Sequence, residues 1–73
     1  FNNIKHSNKI NLTKKQLEII GYICIGKTTA EISEIMKISP RTVEGHKYNI
    51  YKLTNTHNVV TLIIYAKENN IFY

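Results

Sequence analysis

The sequence predicts a small domain of the all-α class with four helical segments. In each segment apolar residues recur every three or four positions, and a residue that commonly caps a helix N-terminus stands at its start. No stretch sustains the apolar-polar alternation of a half-buried strand. With 73 residues, the chain has room for one domain with a small core, which excludes enzymes that need two lobes and a deep cleft.

The chain is basic, because 10 Lys and Arg residues against 5 acidic residues give a formal net charge of +5. This charge suits a polyanionic partner such as nucleic acid, an acidic membrane surface or an acidic protein. A basic surface without such a partner is the plainer alternative. No apolar run approaches the roughly 20 residues of a membrane span, and we expect a cytoplasmic protein without membrane contact.

The polar start of the chain differs from the rest. Residues 1–11 have no helical period, and we expect a linker or lead-in there, followed by a domain at residues 12–73. Because the chain begins with Phe1 rather than Met, we expect a fragment of a longer protein. The single cysteine, Cys24, cannot form an internal disulfide, so no oxidising compartment is required.

The first helix begins after Thr13, which fits a capping box with Gln16, and Gly26 is the predicted residue beyond its end. Its broad apolar surface predicts an internal helix between two neighbours. The residues of that surface are Leu17, Ile20 and Cys24 on one face, with Ile19 and Ile23 beside it.

The second helix begins after Thr28, which fits a capping box with Glu31, and is about 9 residues long. A helix this short is not stable alone in water, so packing must hold it. Its predicted apolar stripe consists of Ile32, Ile35 and Met36. Residues 37–39 then form a turn, in which Ile38 is expected to plug the core.

The third helix has Ser39 as N-cap and Pro40 at its first position, and it extends to about Thr54. At about 100° per residue, its core side carries Val43, His46, Ile50, Leu53 and Thr54. Its outer side carries Arg41, Glu44, Gly45, Tyr48, Tyr51, Lys52 and Asn55. Two short helices that are joined by a tight turn, with a polar outer face on the second helix, are typical of a helix-turn-helix motif. The second helix of this motif fits the major groove of DNA.

The fourth helix begins near Asn58 and ends near Asn69. Its apolar stripe consists of Val59, Leu62, Ile63 and Ala66. Val60 and Ile64 form a second stripe at a different angle.

One set of residues stands in the order and spacing of a known signature: Leu12-Thr13, Gly26, Thr29-x-Glu31-Ile32, Ile38-Ser39, Thr42-Val43, His46 and Asn49-Ile50. From Leu12 to about Ile71 the chain resembles, without a gap, the LuxR/FixJ-type (GerE-like) helix-turn-helix domain. The resemblance implies a four-helix DNA-binding domain, usually at the C-terminal end of bacterial response regulators or ligand-sensing transcription factors. It also implies that the fourth helix often pairs two subunits.

The chain departs from that family in the predicted reading face. Glu44 stands where the family usually has Lys or Arg, and it either accepts from a cytosine amine or repels DNA. Gly45 replaces a small apolar residue; either a side chain there would collide with DNA or a neighbouring helix, or glycine is simply tolerated. Tyr48 and Val59 also depart from the family pattern. Thr54 and Thr56 stand where the family has apolar residues, and we therefore expect a less firmly packed end of the third helix.

The residues expected to contact DNA are Thr28, Thr29, Arg41, Thr42, Glu44, Gly45, Lys47, Tyr48 and Lys52. The threonines would bind phosphate at helix starts, with ordinary capping as the alternative. The cations would also bind phosphate, and Lys27, Lys14 and Lys15 are weaker candidates that solvated surface charge also explains. Base contacts are expected from Glu44, Tyr48 and Lys52, with partial burial as the alternative for the tyrosine.

We expect that the chain binds no metal, because its histidines lack the spacing of zinc ligands. We also expect that it is not an enzyme and needs no cofactor, because it has no phosphate-binding loop and no nucleophile motif. The predicted function is sequence-specific binding of double-stranded DNA by residues 40–54, as the output domain of a bacterial transcriptional regulator. We expect a homodimer on DNA, with Val60 and Ile64 as candidate pairing residues or as a contact to a missing upstream receiver or sensor domain. The alternative function is a degenerate helix-turn-helix that serves protein–protein contact.

Overall fold

A computed structural model describes residues 12–71, and within this range it confirms the all-α prediction. The helices are α1 (Lys14–Cys24), α2 (Thr29–Met36), α3 (Pro40–Thr54) and α4 (Val59–Glu68), and residues 12–71 contain no strand. The linker predicted for residues 1–11 lies outside the described residues, so the proposed boundary stays a prediction. None of these four helices is long and apolar enough to cross a bilayer.

The caps predicted at Thr13, Thr28 and Ser39 are confirmed. The fourth helix, predicted to begin near Asn58, has Asn58 as its N-cap. At the start of α2, the Thr28 hydroxyl accepts from the Glu31 amide at 3.1 Å, and the Glu31 carboxylate accepts from the Thr28 amide at 2.9 Å. Each cap satisfies amides that have no partner inside the helix, and this local chemistry determines where each helix begins.

The core draws residues from all four helices. Its fully buried members are Ile19 and Ile20 of α1, Ile32 of α2, Val43 and Ile50 of α3, and Leu62 and Ala66 of α4. Helix α1 packs against α3 and α4, and α2 packs mainly against α3. Helix α3 is therefore the central element, with one side in the core and the other free to face solvent.

Some residues predicted to lie in the core are at its margin. Ile35 and Leu53 are 45% and 43% exposed, and Val59 is also exposed. Ile35 belongs to α2, which has one main packing neighbour, so only part of its apolar side is covered. Leu53 lies about 80° around α3 from the direction of Val43, which is too far to enter the core. Leu17 and Cys24 of α1 are half-buried rather than central.

The turn between α2 and α3 is tight, as predicted. Lys37 adopts the left-handed conformation with φ of 58°, and the Ile38 amide donates to the Ser33 carbonyl at 3.1 Å. Ile38 packs against the core, which confirms its expected place at the bend. The turn thereby fixes how the start of α3 is directed relative to α2.

The end of α3 is held by hydrogen bonds in spite of its threonines. Thr54 is 6% exposed, and its hydroxyl donates to the Ile50 carbonyl at 2.8 Å. The same hydroxyl lies 2.9 Å from that of Thr56. Since the buried polar group is satisfied, the expected looseness at this end is not found.

Candidate nucleic-acid interface

A single row of side chains runs along the solvent side of α3. We call this row the outer stripe; its members are Arg41, Gly45, Tyr48 and Lys52, at spacings of four, three and four residues. Such spacing places side chains one above another on one helix face. All of them are exposed, and Tyr48 has 63% of its surface in solvent. The face predicted to read DNA is therefore accessible.

The two C-terminal members of the outer stripe contact each other. The Lys52 ammonium nitrogen lies 5.5 Å from the centroid of the Tyr48 ring, a cation–π distance. Lys47 and Glu44 form the only ion pair within residues 12–71, so the charges of Arg41 and Lys52 are not compensated by a carboxylate there. Both cations remain available to an anionic partner.

Gly45 leaves a gap in the middle of the outer stripe. A Cβ atom added at this position would meet no protein atom within 4 Å. Collision with a neighbouring helix, one reason considered for this glycine, is therefore ruled out. Close approach of a partner from outside and simple tolerance of glycine remain as explanations.

Glu44 and Lys47 lie together on one edge of α3 and contact the start of α2. The Thr29 hydroxyl donates to Oε2 of Glu44 at 2.5 Å, and Nζ of Lys47 lies 3.6 Å from the same oxygen. Nζ of Lys47 also donates to the Thr29 hydroxyl at 3.2 Å. We call Thr29, Glu44 and Lys47 the Glu44 cluster. The hydrogen bond from Thr29, followed by the charge of Lys47, lowers the pKa of the Glu44 carboxyl.

Lys47 is less free than the sequence prediction assumed. Only 16% of its side chain is exposed, against 58% for Glu44. Helix geometry explains this, because Lys47 follows Val43 by four residues and so points only about 40° from the direction of that core residue. Tyr51 lies on the same edge, and burial, together with the Glu44 charge, raises the pKa of its hydroxyl.

The N-terminus of α2 presents backbone amides beside this cluster. The Thr28 amide is bound by Glu31, whose pKa is lowered chiefly by that backbone hydrogen bond. Within residues 12–71, the amides of Thr29 and Ala30 have no hydrogen-bond acceptor. Free amides at a helix start, reinforced by the helix dipole, favour an anion.

The remaining candidate residues are distributed around this surface. Thr42 is exposed, but its hydroxyl lies 2.9 Å from that of the N-cap Ser39, so it supports the cap. The exposed lysines outside α3 that were considered for phosphate contact are Lys14, Lys15 and Lys27. Residues 12–71 contain no group of three or more side chains that could hold a metal ion.

The second stripe of α4 is exposed to solvent. Val60 and Ile64 have 65% and 50% of their surface accessible, whereas Leu62 and Ala66 on the same helix are fully buried. The helix therefore has one side in the core and an apolar side that no described part of the chain covers.

Comparison with known proteins agrees with this architecture. Residues 10–66 match the family described as bacterial regulatory proteins, luxR family. The chain is 37% identical over 59 residues to the uncharacterized response regulatory protein YgeK of Escherichia coli (strain K12), covering 81% of this chain and 40% of YgeK. It is 38% identical over 58 residues to the regulatory protein SdiA of the same organism, covering 80% of this chain and 24% of SdiA.

A third relative comes from a different bacterium. The chain is 36% identical over 61 residues to the transcriptional regulatory protein LiaR of Bacillus subtilis (strain 168), covering 84% of this chain and 29% of LiaR. The chain thus spans between 24% and 40% of the length of these three relatives. The chain belongs to the luxR family of bacterial regulatory proteins and is a transcriptional-regulator domain of that family.

Proposed function

We propose that this domain binds double-stranded DNA sequence-specifically and is the output part of a bacterial transcriptional regulator. One observation carries the proposal: α3 has Val43 and Ile50 fully buried on one side and the exposed outer stripe on the other. A 15-residue helix is about 22 Å long at about 1.5 Å per residue, and its diameter fits the major groove.

Phosphate binding positions the domain on the duplex. The free amides of Thr29 and Ala30 would bind one phosphate at the start of α2. Arg41 and Lys52, at the two ends of the outer stripe, would neutralise others. These contacts supply affinity that depends on salt but not on base sequence.

Base recognition comes from the outer stripe of α3. Tyr48 is the most exposed large hydrophobic side chain of that helix and can contact a thymine methyl group or a sugar. Lys52, which lies over its ring, can donate to guanine. Gly45 lets the helix backbone approach the floor of the groove, since no side chain stands between Arg41 and Tyr48 on that face.

Two copies on a near-palindromic site would supply the selectivity that one small domain lacks. The exposed Val60 and Ile64 of α4 are the surface proposed for pairing. The greater length of the relatives supports an upstream receiver or sensor domain, and the name of YgeK favours a response regulator.

The test is a selection of duplexes from a random library with the 73-residue chain, followed by affinity measurements on the recovered site. Arg41→Ala and Lys52→Ala should each weaken binding several-fold and leave thermal unfolding nearly unchanged, because both side chains are exposed. Lys37→Ala, an exposed lysine in the α2–α3 turn, controls for net charge. If the selection yields no preferred duplex, or if neither Arg41→Ala nor Lys52→Ala weakens binding to the duplex that it yields, the proposal is contradicted.

The second candidate function is a protein-interaction module, which the exposed apolar side of α4 favours. Under this alternative, Ile64→Asp abolishes self-association or partner binding, while Arg41→Ala and Lys52→Ala change nothing. The same three variants therefore distinguish the two functions.

A further inference from the structure

The Glu44 cluster joins two groups that were predicted from the sequence to bind DNA phosphate. The Thr29 hydroxyl, at the first position of α2, and the Lys47 ammonium, on α3, are both within 3.6 Å of the same carboxylate oxygen of Glu44. They also contact each other at 3.2 Å. A hydroxyl and an ammonium converging on one anionic oxygen form the arrangement in which a phosphate oxygen is normally bound.

We infer that Glu44 is an internal competitor for a DNA phosphate: its carboxylate binds Thr29 and Lys47 in the free domain and must leave when a duplex binds there. This inference rests on the proposed function. Glu44 then weakens DNA binding in general and reads no base.

The exposures of the cluster members support an exchangeable carboxylate. The Lys47 side chain is 16% exposed and donates directly to the Thr29 hydroxyl at 3.2 Å, so its place beside Thr29 does not depend on Glu44 alone. The Glu44 side chain is 58% exposed and can rotate into solvent without breaking the core. The cationic side of the cluster is therefore fixed, and its anionic side is replaceable.

The same contacts argue against base reading by Glu44. Its Oε2 oxygen already accepts from Thr29 and faces Lys47. Turning the carboxylate toward a cytosine amine would break both contacts and place a negative charge in a groove lined by phosphates. Release of Glu44 to solvent, with a phosphate taking its position, keeps both donors satisfied.

The expected effect of removing the charge is modest, since the Glu44 side chain is 58% exposed and solvent therefore screens its charge. Glu44→Gln should tighten binding about two- to fivefold at low salt, the range that corresponds to an exposed ion pair. The gain should be equal on a selected duplex and on a scrambled one. Because Lys47 contacts the same phosphate in both complexes, the slope of log affinity against log salt should change by less than the roughly 0.9 expected for a whole additional phosphate.

The experiment compares Glu44→Gln with Glu68→Gln in the 73-residue chain, by fluorescence anisotropy on both duplexes across a salt series. Glu68 is an exposed carboxylate in the last turn of α4, so its variant makes the same change in net charge. Lys47→Gln is measured in both backgrounds, and the loss that it causes should be larger when Glu44 is already Gln. Glu44→Ala is the second uncharged variant if the glutamine variant unfolds.

Three results would overturn the inference. Weaker binding of Glu44→Gln to the selected duplex alone would make Glu44 a base-reading residue. Weaker binding to both duplexes with a lower unfolding temperature would make it only a structural link between α2 and α3. If Glu44→Gln raises the affinity for DNA no more than Glu68→Gln does, Glu44 does not compete with a DNA phosphate. If the unmodified chain binds neither duplex, the proposed function itself fails, and that outcome is distinct from these three.

Discussion

The ammonium nitrogen of Lys52 lies 5.5 Å from the ring centroid of Tyr48, one helical turn earlier on the exposed side of α3. Attraction between the ring and the ammonium group favours the conformation in which Lys52 lies along the outer stripe. We predict that Tyr48→Ala weakens duplex binding by at least several-fold, because it removes a groove contact and releases Lys52. The unfolding temperature should stay within about 2 °C, since the side chain is 63% exposed.

Tyr48→Phe is the matched control, because it keeps the ring under Lys52 and removes only the hydroxyl. Binding isotherms of both variants, recorded beside thermal unfolding, separate the two contributions. Equal affinity of the alanine variant and the unmodified chain would show that the outer stripe does not contact DNA at this point.

Gly45 provides a prediction in which stability and binding change in opposite directions. Its position is helical and open, so Gly45→Ala should stabilise the fold by up to about 1 kcal/mol. The added methyl group would enter the space into which DNA approaches, so affinity should fall. Gly26→Ala is the contrasting variant, because the φ of 89° at that position strains any other residue and should destabilise the fold by about 1 kcal/mol or more.

Denaturant unfolding and duplex titration of the two glycine variants check these expectations. If Gly45→Ala raises stability and leaves affinity unchanged, the glycine is merely tolerated and the helix does not lie deep in the groove.

The pKa values of Glu31 and Glu44 are lowered in the folded domain by hydrogen bonds from Thr28 and Thr29. A carboxyl whose pKa is lower in the folded state stabilises the fold above its unfolded pKa. That contribution is lost as the pH falls through the lowered, folded value. We therefore predict that the unfolding temperature is constant near neutral pH and falls below the ordinary pKa of glutamate.

Thermal unfolding at a series of pH values measures this effect. Glu31→Gln and Glu44→Gln should each flatten the acid part of the curve. Glu34→Gln, which makes the same change in net charge on the exposed side of α2, is the control. A pH profile that neither of the first two variants alters would contradict the assigned hydrogen bonds.

The exposed side of α4 provides a prediction about assembly. Ile64→Asp should abolish pairing of two domains on a near-palindromic duplex, because it places a charge in an apolar interface. Ile25→Asp is the control, since Ile25 is 61% exposed but lies beyond α1, away from that stripe. Sedimentation velocity with and without duplex distinguishes one bound copy from two. Two copies bound by the Ile64→Asp variant would exclude α4 as the pairing surface.

The helix starts could be predicted from the sequence because capping is local. The hydroxyl of Thr28 and the carboxylate of Glu31 need only three residues of chain to form their box, whatever the tertiary structure. The buried position of Ile32 followed from helical spacing alone. The exposure of Ile35 could not be predicted, since it depends on how many helices surround α2.

The Glu44 cluster shows where sequence reasoning stops. The closeness of Lys47 to the core could have been recognised from its angle to Val43. The contact of Glu44 with Thr29 could not, because 15 residues separate them and the distance depends on how α2 crosses α3. That crossing is fixed by the turn at Lys37 and by packing, neither of which the charge pattern reveals.

The central claim is that the outer stripe and the start of α2 bind DNA phosphates. The most direct test is the affinity of the 73-residue chain for a duplex between 50 and 200 mM salt, alone and with Arg41 and Lys52 both changed to alanine. If about four to six phosphates are neutralised per subunit, log affinity should fall with log salt with a slope near −0.9 per phosphate. The slope of the double variant should be shallower by the contribution of about two phosphates. Affinity that is independent of salt over this range, or an unchanged slope in the double variant, would contradict the claim.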